Sequence, residues 1–239
     1  MDRLYVLQKE YLEDRYNIDG DVILKLLKLY GTRNLDKFII ADEYTEKTGY
    51  KTVMIGDLKF TGACNTKPIE VPVALRKDKY LNRQYKIQLG KDIIDTRNKF
   101  IKDADKLKSW NNLLYLGLDR DVSEFMEPDK HYVVSEILDI MSEYRVFVYR
   151  DQIQSIQCYI NNELIFPDLD LIKEMIEDYK SDSDRPKAYT IDICVDTRKK
   201  TSVLEVHDFV SCGLYGFQDE VLLRMLADGY DWVTSRKTR

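Results

Sequence analysis

Asp192 and Glu205 lie in two runs of alternating residues separated by a short polar turn, Asp196 to Lys200. In AYTIDICVD, Tyr189, Ile191, Ile193 and Val195 share one face, while Thr190, Asp192 and Cys194 share the other. A period of two marks a strand. In the second run, Glu205 falls between Leu204 and Val206. A turn centred near Arg198 sets the two acids roughly opposite each other in an antiparallel pair. Side chains opposed in this way have Cβ atoms about 5 Å apart, and like charges there destabilise a sheet. A shared divalent cation removes the conflict, because hard cations such as Mg²⁺ take one or two carboxylates together with substrate phosphates. The alternative is a solvated polar hairpin face.

Several elements must position that hairpin. HYVVSEIL (131–138) is a candidate strand, and YRVFVYR followed by IQSIQCYI predicts a hairpin around Asp151 and Gln152. A helix is expected from Leu169 to Lys180, with Leu171, Ile172, Met175, Ile176 and Tyr179 on one face. A last helix is expected from Gln218 to Ala227. In the N-terminal third, Leu4–Leu7, Lys37–Ile40 and Lys51–Ile55 read as strands. A helix there carries Val22, Ile23, Leu26, Leu27 and Tyr30, with Asp21 as N-cap and Gly31 as terminator. The stretch 59–79 reads as irregular, and Asn98–Lys102 as a short strand ending in lysine. The class is α+β with mostly antiparallel sheets, divided near residue 95.

Composition sets the bounds. With 239 residues, 44% hydrophobic and 33% charged, the chain has an ordinary globular balance. A net charge of −5 argues against bulk nucleic-acid binding. The most apolar stretches, such as Val22–Leu27, fall far short of a membrane span. The start, MDRLYVLQKEYLEDR, is already charged and has no secretory apolar run. Cys64, Cys158, Cys194 and Cys212 show no metal-type spacing and are expected as reduced thiols of a cytoplasmic protein. Residues 76–108 hold eleven Lys/Arg against five Asp/Glu. A basic segment and an acidic hairpin in one fold suit the two halves of a polyphosphate site; the plainer reading is a solvated charge run.

The combination EILDIMSEYRVFVYR, TIDICVD and LEVHDFVSCGLYG resembles the ATP-grasp enzymes, in particular the clade named for two arginines and a lysine. The resemblance spans about Arg97 to Tyr230 and lies in order and spacing. Glu136 and Glu143, seven apart, precede Asp192 and Glu205, thirteen apart. It implies an ATP-grasp fold: two α+β subdomains clamp a nucleotide (96–239, hinge near 131–140) after an N-terminal α/β region (1–95). It further implies that Glu136 receives the adenine amino group, with Ile137 and Leu138 lending backbone groups and Ser135 beside them in the ATP site, and that Glu143 accepts the ribose hydroxyls. Lys102 resembles the phosphate-binding lysine of the family's first subdomain, and Lys108, with Trp110 close behind, the clade's lysine; Lys106 and Lys108 could exchange roles. Arg145 would touch the terminal phosphate or the acyl group, Arg97 a phosphate or substrate, and Gly213 and Tyr215 the acceptor pocket. The metal set would be Asp192, Glu205 and His207. Histidine stands where the family commonly has asparagine, so it either binds a softer ion such as Mn²⁺ or faces substrate, with Asp208 then able to supply oxygen.

The function implied is ATP- and Mg²⁺-dependent ligation of a carboxylate to an amine on a small amino-acid or peptide substrate. No side-chain nucleophile is needed for such a reaction. Two rivals are a small-molecule kinase of the same fold and a catalytically silent nucleotide-binding module. A nucleic-acid ligase fits poorly, since the KxxG pattern at Lys28–Gly31 and Lys59–Gly62 is too loose to carry weight.

Overall fold

The computed structural model describes residues 3–14, 18–31, 37–43, 49–105, 115–116 and 121–237. Its N-terminal part consists of β1 (Arg3–Gln8), α1 (Lys9–Glu13), α2 (Ile18–Leu26), β2 (Lys37–Ala41) and β3 (Lys51–Ile55). The strands form a parallel sheet in the order β2-β1-β3. Asp21 lies inside the first turn of α2 rather than capping it, and the helix runs on through a π-helical turn, Leu27–Gly31.

Two antiparallel sheets follow. One holds β4 (Tyr85–Leu89), β5 (Lys99–Asp103), β6 (Tyr115–Leu116) and β7 (His131–Glu136), in the order β4-β7-β5-β6. The other holds β8 (Ile140–Tyr149), β9 (Gln152–Asn161), β10 (Ala188–Asp196) and β11 (Thr201–Asp208), in the order β11-β10-β8-β9. A short helix, α3 (Asp78–Leu81), precedes β4; α4 (Leu169–Tyr179) and α5 (Leu222–Lys237) complete the chain. Because β4 pairs with β7, the sheet that carries Lys102 begins before the division expected near residue 95.

The second sheet alternates as its sequence requires. Tyr144, Val146, Val148, Tyr189, Ile191 and Ile193 pack on Ile172, Met175, Ile176 and Tyr179 of α4. Asp168 caps α4, accepting from the backbone N–H of Asp170 and Leu171 at 3.0 and 3.1 Å. The opposite face is apolar at one end, where Phe147, Phe209 and Phe217 join α5 and the parallel sheet in one core. At its other end this face carries Glu143, Arg145 and Asp192.

α5 departs from expectation. It starts at Leu222 and continues beyond Ala227 to Lys237. Gly229 does not stop it; this residue lets the helix approach the chain at Phe209, whose carbonyl oxygen would lie 2.7 Å from an added Cβ. Among the described residues, no helix is long and apolar enough to cross a membrane.

Candidate active site

A cleft of about 500 Å³ opens between the two antiparallel sheets. Along it lie Ser135, Glu136, Ile137 and Leu138 from the end of β7 and the link to β8. Glu143 of β8, Lys102 of β5 and Glu205 of β11 also line it. The end of β7 and its link to β8 thus occupy one region of the cleft wall, and the lysine and hairpin carboxylate another.

The hairpin has the register its sequence suggests. Asp192 pairs directly with Glu205 across β10 and β11, and Arg145 is the partner of Asp192 on the other side. Asp192, Glu205 and His207 each offer one ligand atom, and these atoms lie within 4.8 Å of one another. Two carboxylates and an imidazole on one sheet face suit a divalent cation, with the oxygens satisfying its hard character. Asp208 does not share that face. It pairs with the core residue Tyr189, and its Oδ1 accepts from the backbone N–H of Val210 at 3.2 Å. The expectation that it could replace His207 as an oxygen ligand is therefore corrected by strand alternation.

Both of the opposed acids already have a cation. Arg145 grips Asp192 through two hydrogen bonds, Nε to Oδ1 at 2.8 Å and Nη2 to Oδ2 at 2.7 Å. Its Nη1 donates to the Gly213 carbonyl at 3.0 Å. The Lys102 ammonium donates to Glu205 Oε2 at 2.5 Å and lies 2.9 Å from Glu70 Oε1. His207 Nε2 sits 2.7 Å from Glu205 Oε1 and 3.9 Å from Asp192 Oδ2. Burial works against these charges; at Glu70 it prevails and raises the carboxyl, but at Lys102, Glu205 and His207 the pairing wins. Burial alone would lower Lys102, but Glu205 and Glu70 raise it above the ordinary lysine range. Burial would likewise raise Glu205, but His207 and Lys102 hold it well below the ordinary carboxylate range. His207 is pushed up by Glu205 and Asp192 despite its own burial.

The groups at the end of β7 are partly engaged. Glu136 Oε2 accepts from the backbone N–H of Gln84 at 2.8 Å. Ser135 Oγ donates to the Glu136 carbonyl at 2.9 Å and accepts from Arg83 Nε at 2.8 Å. Arg83 also donates to the Val203 carbonyl at 2.8 Å, so one guanidinium ties β7 to β11 across the cleft. Burial pushes it below the ordinary arginine range. Glu143 accepts from the Tyr159 hydroxyl at 2.7 Å, and burial raises its carboxyl. The Tyr159 ring stacks on Tyr215 with centroids 4.8 Å apart, and the Arg145 guanidinium lies 4.9 Å from the Tyr215 centroid. Gly213 makes room for this: an added Cβ would meet the Tyr215 ring at 3.0 Å.

Arg97 is not brought to the site. It is exposed and held by Asp95 through contacts of 3.0 and 2.9 Å, and it does not line the cleft. The structure leaves Arg97 outside that cleft, with its guanidinium held by a carboxylate two residues away. Lys108 and Trp110 lie outside the described residues. Sequence reasoning missed Glu70, Arg83 and Tyr159. Tyr159 follows strand alternation, but Glu70 sits in a stretch without periodicity, and its partner is distant in sequence.

Comparison with known proteins adds a family and a fold. The family model for the ATP-grasp domain of the two-arginine, one-lysine clade, family 2, matches residues 80–225. No curated protein matches the chain in sequence. Among solved structures, the chain is similar to D-alanine–D-alanine ligase from Bacillus anthracis at 12% identity and TM-score 0.59, covering 99% of this chain and 100% of that one. It is also similar to the D-cycloserine synthetase DcsG at 10% identity and TM-score 0.59, covering 97% and 99%. At these identities the likeness concerns the fold.

Proposed function

This chain belongs to the ATP-grasp superfamily, in family 2 of the clade named for two arginines and a lysine, and on that premise we propose that it is an ATP-dependent carboxylate–amine ligase. Its substrate would be an amino acid or peptide, activated as an acyl phosphate, with ADP and phosphate released. One observation carries the reading. Lys102 of one sheet meets the Asp192–Glu205 hairpin of the other along a cleft that also exposes the hinge, Ser135 to Leu138.

Each residue then has a task its surroundings allow. The apolar hinge residues Ile137 and Leu138 border the cleft where the adenine would lie, Glu136 would accept its amino group, and Glu143 the ribose hydroxyls. Lys102 supplies a cation that burial has not neutralised, suited to holding a phosphate oxygen. Asp192, Glu205 and His207 would hold Mg²⁺, or Mn²⁺ if the imidazole ligates. Such an ion neutralises charge that grows on a transferring phosphoryl group. Arg145 is committed to Asp192 and Gly213, so it reaches substrate only with its remaining N–H groups; Tyr215 and Gly213 shape the acceptor wall beside it. Holding acceptor and nucleotide in one cleft replaces a bimolecular encounter with a local one.

The reading is tested by melting the protein with and without ATP and Mg²⁺. Ligand at one hundred times its dissociation constant stabilises by about 2.7 kcal/mol. Glu205→Ala is expected to lose most of that shift. Release of ADP should then depend on both an amine and a carboxylate when pooled amino acids are added. Absence of any nucleotide-dependent shift would overturn the site, and binding without turnover would leave a silent module instead of a ligase.

A further inference from the structure

We propose that Glu70 is a positioning residue for Lys102: it retains the lysine ammonium at the seam between the sheets when Glu205 is given over to a cation. The inference rests on the nucleotide reading above. It concerns a residue ahead of the segment matched by the family model, 80–225.

Glu70 is built into the site from an irregular stretch. Its neighbour Val71 is fully buried in the core, and its own carbonyl accepts from the backbone N–H of Val206 at 2.8 Å. That single bridge fastens Glu70 to the outer edge of β11, between Glu205 and His207. The backbone there has φ of 57°, a left-handed conformation that non-glycine residues adopt at a cost. Such outliers concentrate at ligand clamps, where the surroundings hold them in place. The side chain is only 5% exposed. Its Oε1 lies 2.9 Å from the Lys102 ammonium, yet no donor among the described residues is aligned to give it a hydrogen bond. A buried carboxylate oxygen with charge compensation but no aligned donor has unused capacity.

The capacity matters because Glu205 is over-subscribed. Its Oε2 accepts from Lys102 and its Oε1 meets His207. A divalent cation on Glu205 competes for an oxygen and repels the ammonium. Lys102 would then lose its best-aligned carboxylate while needed by the phosphates, and its long stem has many rotamers to search. Glu70, bridged to the edge of that same strand, keeps one carboxylate within reach. The lysine is thus pre-organised instead of ordered at the moment of binding. The competing view is a purely structural ion pair, in which Glu70 neutralises a buried lysine and has no bearing on phosphate.

Calorimetric titration with ATP–Mg²⁺ and with adenosine separates the two. For Glu70→Gln, ATP–Mg²⁺ affinity should fall about tenfold, the scale of one charge-assisted hydrogen bond, with adenosine affinity unchanged. In a Lys102→Met background, Glu70→Gln should cause no further loss. If Glu70→Gln does not fold, Glu70→Asp retracts the charge by one methylene and should show the same selective loss at smaller size. Equal weakening of ATP and adenosine, or ATP affinity unchanged or improved, overturns the proposal. Wild-type protein that fails to bind ATP–Mg²⁺ overturns the nucleotide reading itself, and this inference with it.

Discussion

Arg145 and Asp192 show how a charged pair survives in a nearly dry place. The two side chains are 8% and 3% exposed and form a bidentate ion pair, with a backbone carbonyl taking a further donor. Pairing two buried ions roughly balances their desolvation, whereas removing one leaves the other stranded. Asp192→Ala should therefore cost about 3–5 kcal/mol of stability, read as a shift in urea midpoint. The double variant Arg145→Met/Asp192→Leu should lose less than Asp192→Ala alone. A double variant at least as unstable as the single one would mean that Arg145 is held chiefly by the Tyr215 ring and Gly213. At this scale the hairpin acids were legible, because a local turn and period-two alternation fix which residues oppose each other. Arg97 was less legible, because a basic residue has no mark in sequence showing that its neighbour Asp95 pairs with it.

Elements add information that pattern alone withholds. The alternation of β8 and β10 and the apolar face of α4 could be read directly, since each buries one face on the other. The end of α5 could not. Gly229 in LADGYD looks like a terminator, but it serves a close approach between helix and chain. Ala at that position improves helix propensity by about 1 kcal/mol. Its Cβ would nonetheless lie 2.7 Å from the Phe209 oxygen and 2.9 Å from the Phe209 Cβ. The clash should win, and Gly229→Ala should destabilise by about 1–3 kcal/mol, the usual range for overpacking. A thermal melt checks this, and an unchanged or raised midpoint would show that α5 can slide away freely. Glu70 illustrates the other limit: a stretch with two prolines and no period says nothing about which distant strand edge it will meet.

Across the whole molecule, pH acts through carboxyls held below their ordinary range. Burial would raise Asp57, Asp105 and Asp196, but backbone hydrogen bonds and nearby polar or cationic side chains bring them down. Asp151 is lowered mainly by Arg185, and Asp178 by Lys77 and Tyr80. Groups of this kind contribute stability above their unfolded pKa and lose it as pH falls through the folded one. Asp19, Glu70 and Glu143 are raised by burial and pull the other way, but they are fewer. The melting temperature should hold level from pH 7 to about 5 and drop below about pH 4, where ordinary carboxyls titrate. Calorimetric scans across that range test it; a midpoint that climbs on acidification would mean that the buried acids dominate. Arg83 and the Lys102 ion pairs join sheets that have no strand in common, so the halves of the cleft are electrically stitched as well as packed.

The saturation of Glu205 by Lys102 and His207 has a practical corollary. Each Glu205 oxygen already faces a basic group, the Lys102 ammonium on one side and the His207 imidazole on the other. Under the proposed reading, loading a cation would be an exchange of partners instead of the filling of a vacancy. A bare ion would have to move the ammonium off Glu205 and leave it to Glu70 alone, whereas one delivered along with its phosphates would bring the ammonium a new address.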